Sequence, residues 1–191
     1  YAQGMFIQNR NWRMTMAKPT YVLGTGVSHD GSSCLIKDGE IVVVLQKERF
    51  TRKKQDGLND AFTLTECLEI EGIGWDDVAL VVQNANFGSF KYGNDWFYGE
   101  RPIPPNVPVV TISHHLAHAY SAFYLSPFDD ASVLVIDGCG NAFVDCMDLD
   151  CVLTERPPSE FSSLWFEKDS YYLANNKGID PKYKDFSLWG G

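Results

Sequence analysis

The chain has 191 residues, 45% hydrophobic and 14% aromatic, which is ample for a buried core and unlike a disordered segment. Its formal net charge of −9 argues against a nucleic-acid binder, and no run approaches the roughly 20 apolar residues that cross a bilayer. Five cysteines without a Cys-x-x-Cys pair read as reduced thiols, and the first twenty residues carry Arg10, Arg13 and Lys18 with no apolar leader, so the cytoplasm is the expected compartment.

Residues 1–19 lack periodicity and read as an amino-terminal arm ahead of a domain over 20–191. Strands are predicted from Tyr21, over Ser33–Ile36 and over Ile41–Leu45, with Asp38-Gly39 supplying the hairpin turn between the last two. From Asp60 to Glu71, apolar Phe62, Leu64, Cys67, Leu68 and Ile70 predict an amphipathic helix that closes near Gly72. Val78–Val82 reads as a buried strand. The Gly-, Asn- and aromatic-rich stretch over 83–107 is too long for a connector and reads either as an acceptor-binding loop or as one that packs its own aromatics. Val107–Ile112 is a strand, Ser113 a helix N-cap, His114 to Leu125 a helix stopped by Ser126-Pro127, and Ala131–Ile136 a strand ending at Asp137-Gly138. Strands, a hairpin and crossover helices in this order predict an α/β domain with a mixed sheet and flanking helices, its functional groups at a carboxyl edge.

The chemistry concentrates in Ser113-His114-His115-Leu116-Ala117-His118-Ala119. Helical i,i+4 spacing sets the imidazoles of His114 and His118 on one face, and a strand would deliver the Asp137 carboxylate to the same place, giving a set suited to a divalent metal. The bland alternative is two polar positions on a half-exposed helix, but three of the chain's four histidines within five residues favour the metal. His115 lies about 100° around the helix and is expected as a supporting or substrate contact. A helix N-terminus disfavours a cation, an effect that Asp137 would offset. Cys139, Cys146 and Cys151 are spaced too irregularly to favour zinc.

Two further groups stand out. Gly24-Thr25-Gly26-Val27-Ser28-His29-Asp30-Gly31-Ser32-Ser33 is a small-residue turn whose amides and hydroxyls suit phosphate, and His29 within it can act as a general base. Lys47-Glu48-Arg49-Phe50-Thr51-Arg52-Lys53-Lys54 is a cationic run that fits either anion recognition or a solvated face.

Together these motifs, with Ser121-Ala122-Phe123, Asp137-Gly138-Cys139-Gly140 and more weakly Ser187-Leu188, resemble the O-carbamoyltransferases of natural-product biosynthesis, including the nebramycin, cephem, ansamycin and nodulation-factor enzymes. The resemblance covers roughly residues 20 to 145. It implies the first half of an actin-like superfold, shared with acetate and sugar kinases, heat-shock chaperones and actin, and similar to tRNA threonylcarbamoyl transferases. It implies transfer of a carbamoyl group from carbamoyl-adenylate, made from carbamoyl phosphate and ATP, to a hydroxyl of a small molecule beside a divalent metal, reported as iron in the family. His114, His118 and Asp137 would be the metal ligands and His29 would activate the acceptor. Asp30, Ser32, Arg52, Lys54 and His115 would bind substrate or adenylate. Relatives tend to carry a histidine where Gln55 stands, an acidic residue where Asn141 stands, and sometimes a carboxylate where Val27 stands. They are several times longer, so a fourth metal ligand, the second half and the adenylate-forming domain are expected in a remainder of the enzyme, with the 191 residues inactive alone. No nucleic-acid or membrane partner is expected, and a homodimer is compatible with the reading. The alternatives are an actin-fold kinase, a tRNA threonylcarbamoyl transferase-like protein, and a metal-stabilised interaction domain.

Overall fold

The structure is a computed structural model that describes residues 18–26, 30–56, 61–84 and 103–188. His29, the amino-terminal arm up to residue 17 and most of the long aromatic loop lie outside the described residues.

Alternating apolar residues build the first sheet. β1 (Tyr21–Gly26), β2 (Ser32–Lys37) and β3 (Glu40–Gln46) form an antiparallel meander. Asp38 and Gly39, at φ 51° and 91°, make the turn in which both central residues are left-handed, as the Asp-Gly pair predicts. β4 (Val78–Asn84) pairs parallel with β1, and β5 (Val109–Ile112) pairs parallel with β4, giving the order β3-β2-β1-β4-β5. The basic run opens with a short helix, α1 (Lys47–Thr51), which sequence periodicity does not announce. Helix α2 (Ala61–Glu71) covers one sheet face: Leu64, Cys67 and Leu68, spaced i, i+3, i+4, pack with Leu23, Leu35, Val43, Leu45 and Val81. Gly72, at φ 73°, ends α2 in the left-handed conformation that favours glycine. Ile70, placed on the apolar face by the sequence, is 57% exposed.

A second sheet follows the mixed one. β6 (Asp130–Ile136) leaves the mixed sheet and begins a second one with β7 (Val152–Leu153), β8 (Trp165–Asn175) and β9 (Gly178–Leu188), in the order β6-β8-β9-β7. Helix α3 (His114–Tyr124) covers this sheet. Its buried stripe of His115, Ala119 and Phe123 recurs every four residues, and the last two pack with Val133, Val135, Tyr172 and Ala174. The α/β architecture of mixed sheet and crossover helices therefore stands, with α3 bridging from the end of β5 to a separate sheet in which β6, β8 and β9 are antiparallel and the short β7 pairs parallel with β9. No helix among the described residues is long and apolar enough to cross a membrane.

Candidate metal centre

β1, β4 and β5 run parallel with Thr25 beside Gln83 and Gln83 beside Thr111, so their carboxyl ends share one sheet edge. β5 stops at Ile112, and the chain turns at Ser113 into α3, which puts His114 at that edge. Asp137 follows the last residue of β6, which packs against α3. His114 Nε2 lies 2.8 Å from Asp137 Oδ2, His118 Nε2 3.1 Å from His114 Nε2, and His118 Nε2 3.7 Å from the same carboxylate oxygen. The two rings meet edge to face with centroids 4.5 Å apart. Nitrogen and oxygen donors about 2.1 Å from one ion lie about 3.0–3.4 Å from one another at tetrahedral or octahedral angles. One of the three separations falls in that range and the other two bracket it, so small shifts of the side chains would let the three atoms share a divalent ion, and two imidazoles with one carboxylate are a borderline-hard set suited to zinc or iron.

Electrostatics favour the ligating forms. Burial, reinforced by His114, lowers the His118 pKa and keeps its ring neutral. Burial pushes the Asp137 carboxyl upward, but the Gly138 amide and His114 outweigh it and hold the group below the usual range, so it is ionised.

Ser113 occupies the N-cap position, yet its hydroxyl donates to Asp148 and makes no cap bond to the helix, contrary to the sequence reading. The exposed donors of the first turn are met from elsewhere: Asn141 Oδ1 accepts the His114 N–H at 2.9 Å, and Glu167 Oε2 accepts the His115 N–H at 3.4 Å. The same Asn141 side chain donates from Nδ2 to the Asp145 carbonyl at 3.0 Å.

His115, expected as a supporting or substrate contact, is fully buried. Its Nδ1 meets Ser170 Oγ at 2.8 Å while Nε2 has no hydrogen-bond partner, and burial lowers its pKa to about 4. It borders a polar cluster that sequence reasoning missed, made of Glu167, Lys184, Ser170, Tyr172, Asp148 and Cys146. Lys184 Nζ contacts Glu167 Oε1 and lies 3.0 Å from both Asp148 Oδ2 and Tyr172 Oη. Burial disfavours the ammonium, but the surrounding acceptors, Glu167 foremost, raise its pKa on balance. Cys146, Asp148 and Glu167 are spaced closely enough to ligate a metal, but Lys184 already provides their cation.

The described end of the small-residue turn is bonded through Gly31 to both ends of the segment that holds the basic run. Gly31 N–H donates to the Asp56 carbonyl at 3.1 Å and its carbonyl accepts the Lys47 N–H at 2.8 Å. A side chain at Gly31 would sit 3.2 Å from the Asp56 oxygen, which explains glycine there. Ser33 is turned inward and its hydroxyl donates to Thr63 Oγ1, so it is unsuited to a ligand, whereas Asp30 and Ser32 are half-buried beside it. Arg52 and Lys54 are exposed, and Arg52 ends α1 in the left-handed conformation at φ 60°.

Residues 101–164 match the family described as Carbamoyltransferase N-terminus. The chain is 30% identical over 158 residues to the uncharacterized protein sll1178 of Synechocystis sp., a match covering 63% of this chain and 26% of that protein. It is 26% identical over 137 residues to the nodulation protein NolNO of Sinorhizobium fredii, covering 59% of this chain and 20% of that protein. The chain thus spans about a quarter of the length of the curated relatives it matches. Among solved structures, YeaZ from Pseudomonas aeruginosa aligns with a TM-score of 0.49 at 11% identity, covering 88% of this chain and 67% of that one.

Proposed function

We propose that this chain is an O-carbamoyltransferase N-terminal region and forms the metal-holding part of a carbamoyl-transfer centre, a reading supported by the family match over residues 101–164 and by the likeness to NolNO. The donor is carbamoyl-adenylate, made from carbamoyl phosphate and ATP elsewhere in the enzyme, and the acceptor is a hydroxyl of a small-molecule natural product. The observation that carries the reading is the convergence of His114, His118 and Asp137, from a helix and a strand end in different packing partners, within 4.8 Å of one another.

A divalent ion on these three groups, iron by the resemblance, would supply Lewis acidity toward the carbamoyl oxygen. The chain's own residues do the rest. Asp137 and the neutral His118 present lone pairs at one point, and α3 holds both histidines with a helix's rigidity. Arg52 and Lys54, exposed on the segment whose Lys47 and Asp56 backbones bond to Gly31, offer cationic donors to the adenylate phosphate, and Ser32 adds a hydroxyl. His29, in that turn's sequence, takes the proton of the acceptor hydroxyl as it attacks the carbamoyl carbon, and AMP leaves.

The test is metal content and transfer in the complete enzyme, purified without chelator. Wild type should carry about one transition-metal equivalent per chain, while His114→Ala and His118→Ala lose both the metal and carbamoyl transfer to the hydroxyl, with ATP-dependent adenylate formation retained. Transfer that survives loss of the metal overturns the reading in favour of a structural ion. A wild type that takes up no iron, cobalt or zinc overturns the centre itself.

A further inference from the structure

The polar cluster beneath the three donors has more connections to them than packing requires. Glu167 is wholly buried, as are Lys184, His115 and Asn141. Its Oε2 accepts the Asn141 N–H at 2.9 Å and the His115 N–H at 3.4 Å. Its main chain is bonded to the same loop, accepting from Gly140 N–H and donating to the Asn141 carbonyl, each at 2.9 Å. The loop begins at Asp137, and His115 adjoins His114. One carboxylate therefore joins the segment carrying the oxygen ligand to the first turn of the helix carrying the nitrogen ligands.

We propose that Glu167 is a positioning residue for the metal centre, its carboxylate fixed by Lys184 so that the loop after Asp137 and the first turn of α3 are held at the separation one ion requires. The inference rests on the metal reading above and adds to it a residue that touches no ligand side chain. Burial makes the arrangement stiff, because no water can replace a lost acceptor and an unmet buried amide is costly. Lys184 makes it tolerable, because a lone carboxylate at zero exposure would not stay ionised. Asn141 adds a parallel strap through its side chain to the His114 N–H. A pair kept for stability alone would be replaceable by apolar residues without consequence for the ion; a positioning pair would not.

The experiment is cobalt(II) titration followed by visible absorption, with urea unfolding of each protein as the control. Glu167→Leu/Lys184→Met removes both charges of the pair, whereas Glu167→Gln/Lys184→Met keeps an amide oxygen able to accept both N–H groups; both remove the Lys184 contact of Asp148 alike, so the comparison between them isolates the acceptor. The Leu/Met protein should bind cobalt about 10–100-fold more weakly than wild type, with a shifted visible spectrum and cooperative unfolding retained, while the Gln/Met protein stays within about 3-fold. Equal affinity and spectrum in all three, each unfolding cooperatively, overturns the positioning role and leaves the metal reading standing. Absence of cobalt binding by wild type overturns both. If the Leu/Met protein does not fold, Glu167→Asp decides: its carboxylate falls one methylene short of the Asn141 amide, so a loss of about 10-fold in affinity is expected and unchanged affinity overturns the inference.

Discussion

Gly140 is the position where the structure makes its sharpest steric demand. A Cβ added there would lie 2.6 Å from Glu167 Cβ, 2.7 Å from Glu167 Oε2 and 2.8 Å from His115 Cδ2. Carbon atoms in contact prefer about 3.5–4.0 Å, so each overlap is about 1 Å. Neither neighbour can retreat cheaply: Glu167 is bound to Lys184 and Asn141, and His115 to Ser170, all at zero exposure. Overpacking a closed site costs about 1–3 kcal/mol, and displacing Oε2 from the Asn141 amide adds about 1 kcal/mol. Gly140→Ala should thus destabilise the protein by about 2–4 kcal/mol, read as a lower urea midpoint at unchanged slope. Gly138→Ala is the matched control in the same Asp-Gly-x-Gly run, since a Cβ there meets nothing within 4 Å, and it should stay within about 0.5 kcal/mol of wild type. Equal midpoints for the two variants would refute the close packing of Gly140, Glu167 and His115.

Two further outcomes follow from the same region. His115 is buried and its pKa lowered to about 4, so the unfolded chain binds its proton first: stability is intact above about pH 6.5 and falls as pH drops toward 4, by on the order of 3 kcal/mol, and His115→Gln should flatten that part of the urea-midpoint profile. Asn141→Ala removes the acceptor for the His114 N–H and the donor to the Asp145 carbonyl, and should cost about 1–2 kcal/mol by thermal or urea unfolding.

The first sheet was largely legible because its signals are local. Alternation in β1 to β3, an Asp-Gly turn and the 3.6-residue period of α2 are set by near neighbours. The His114, His118 and Asp137 set was legible for a related reason: helical spacing and a strand end suffice to aim three side chains at one point. The second sheet was not. Pro181 interrupts the run that became β9, and strict alternation along β8 would put Glu167 and Ser170 on opposite faces. A register shift between Glu167 and Asp169 turns both the same way, against Lys184 and Phe186 of β9, and brings the carboxylate under the helix. The turn Asn175 to Gly178, between aromatic-rich runs, was the available sign of the hairpin. The Ser113 cap misled because a hydroxyl at an N-cap has a second option, the buried Asp148 carboxylate.

The placement of charge bears on the proposed ion, because the backbone dipole opposes a cation at a helix N-terminus. Asp137, Glu167 and Asp148 contribute three negative charges around the start of α3, and Lys184 returns one. Burial lowers the pKa of His115 and of His118, which disfavours a positive charge on these two rings near neutral pH. The count leaves an excess of two negative charges (three minus one), matched by one divalent ion. Exposed carboxylates could not enforce that balance, because solvent would screen them within about 10 Å at ordinary ionic strength. Glu167 is fully buried and the Asp148 side chain only 8% exposed, so their field acts where water does not screen it. Glu167 therefore joins the two ligand-bearing segments and also offsets the dipole of the helix it caps, which ties the geometry of the centre to its charge through one side chain.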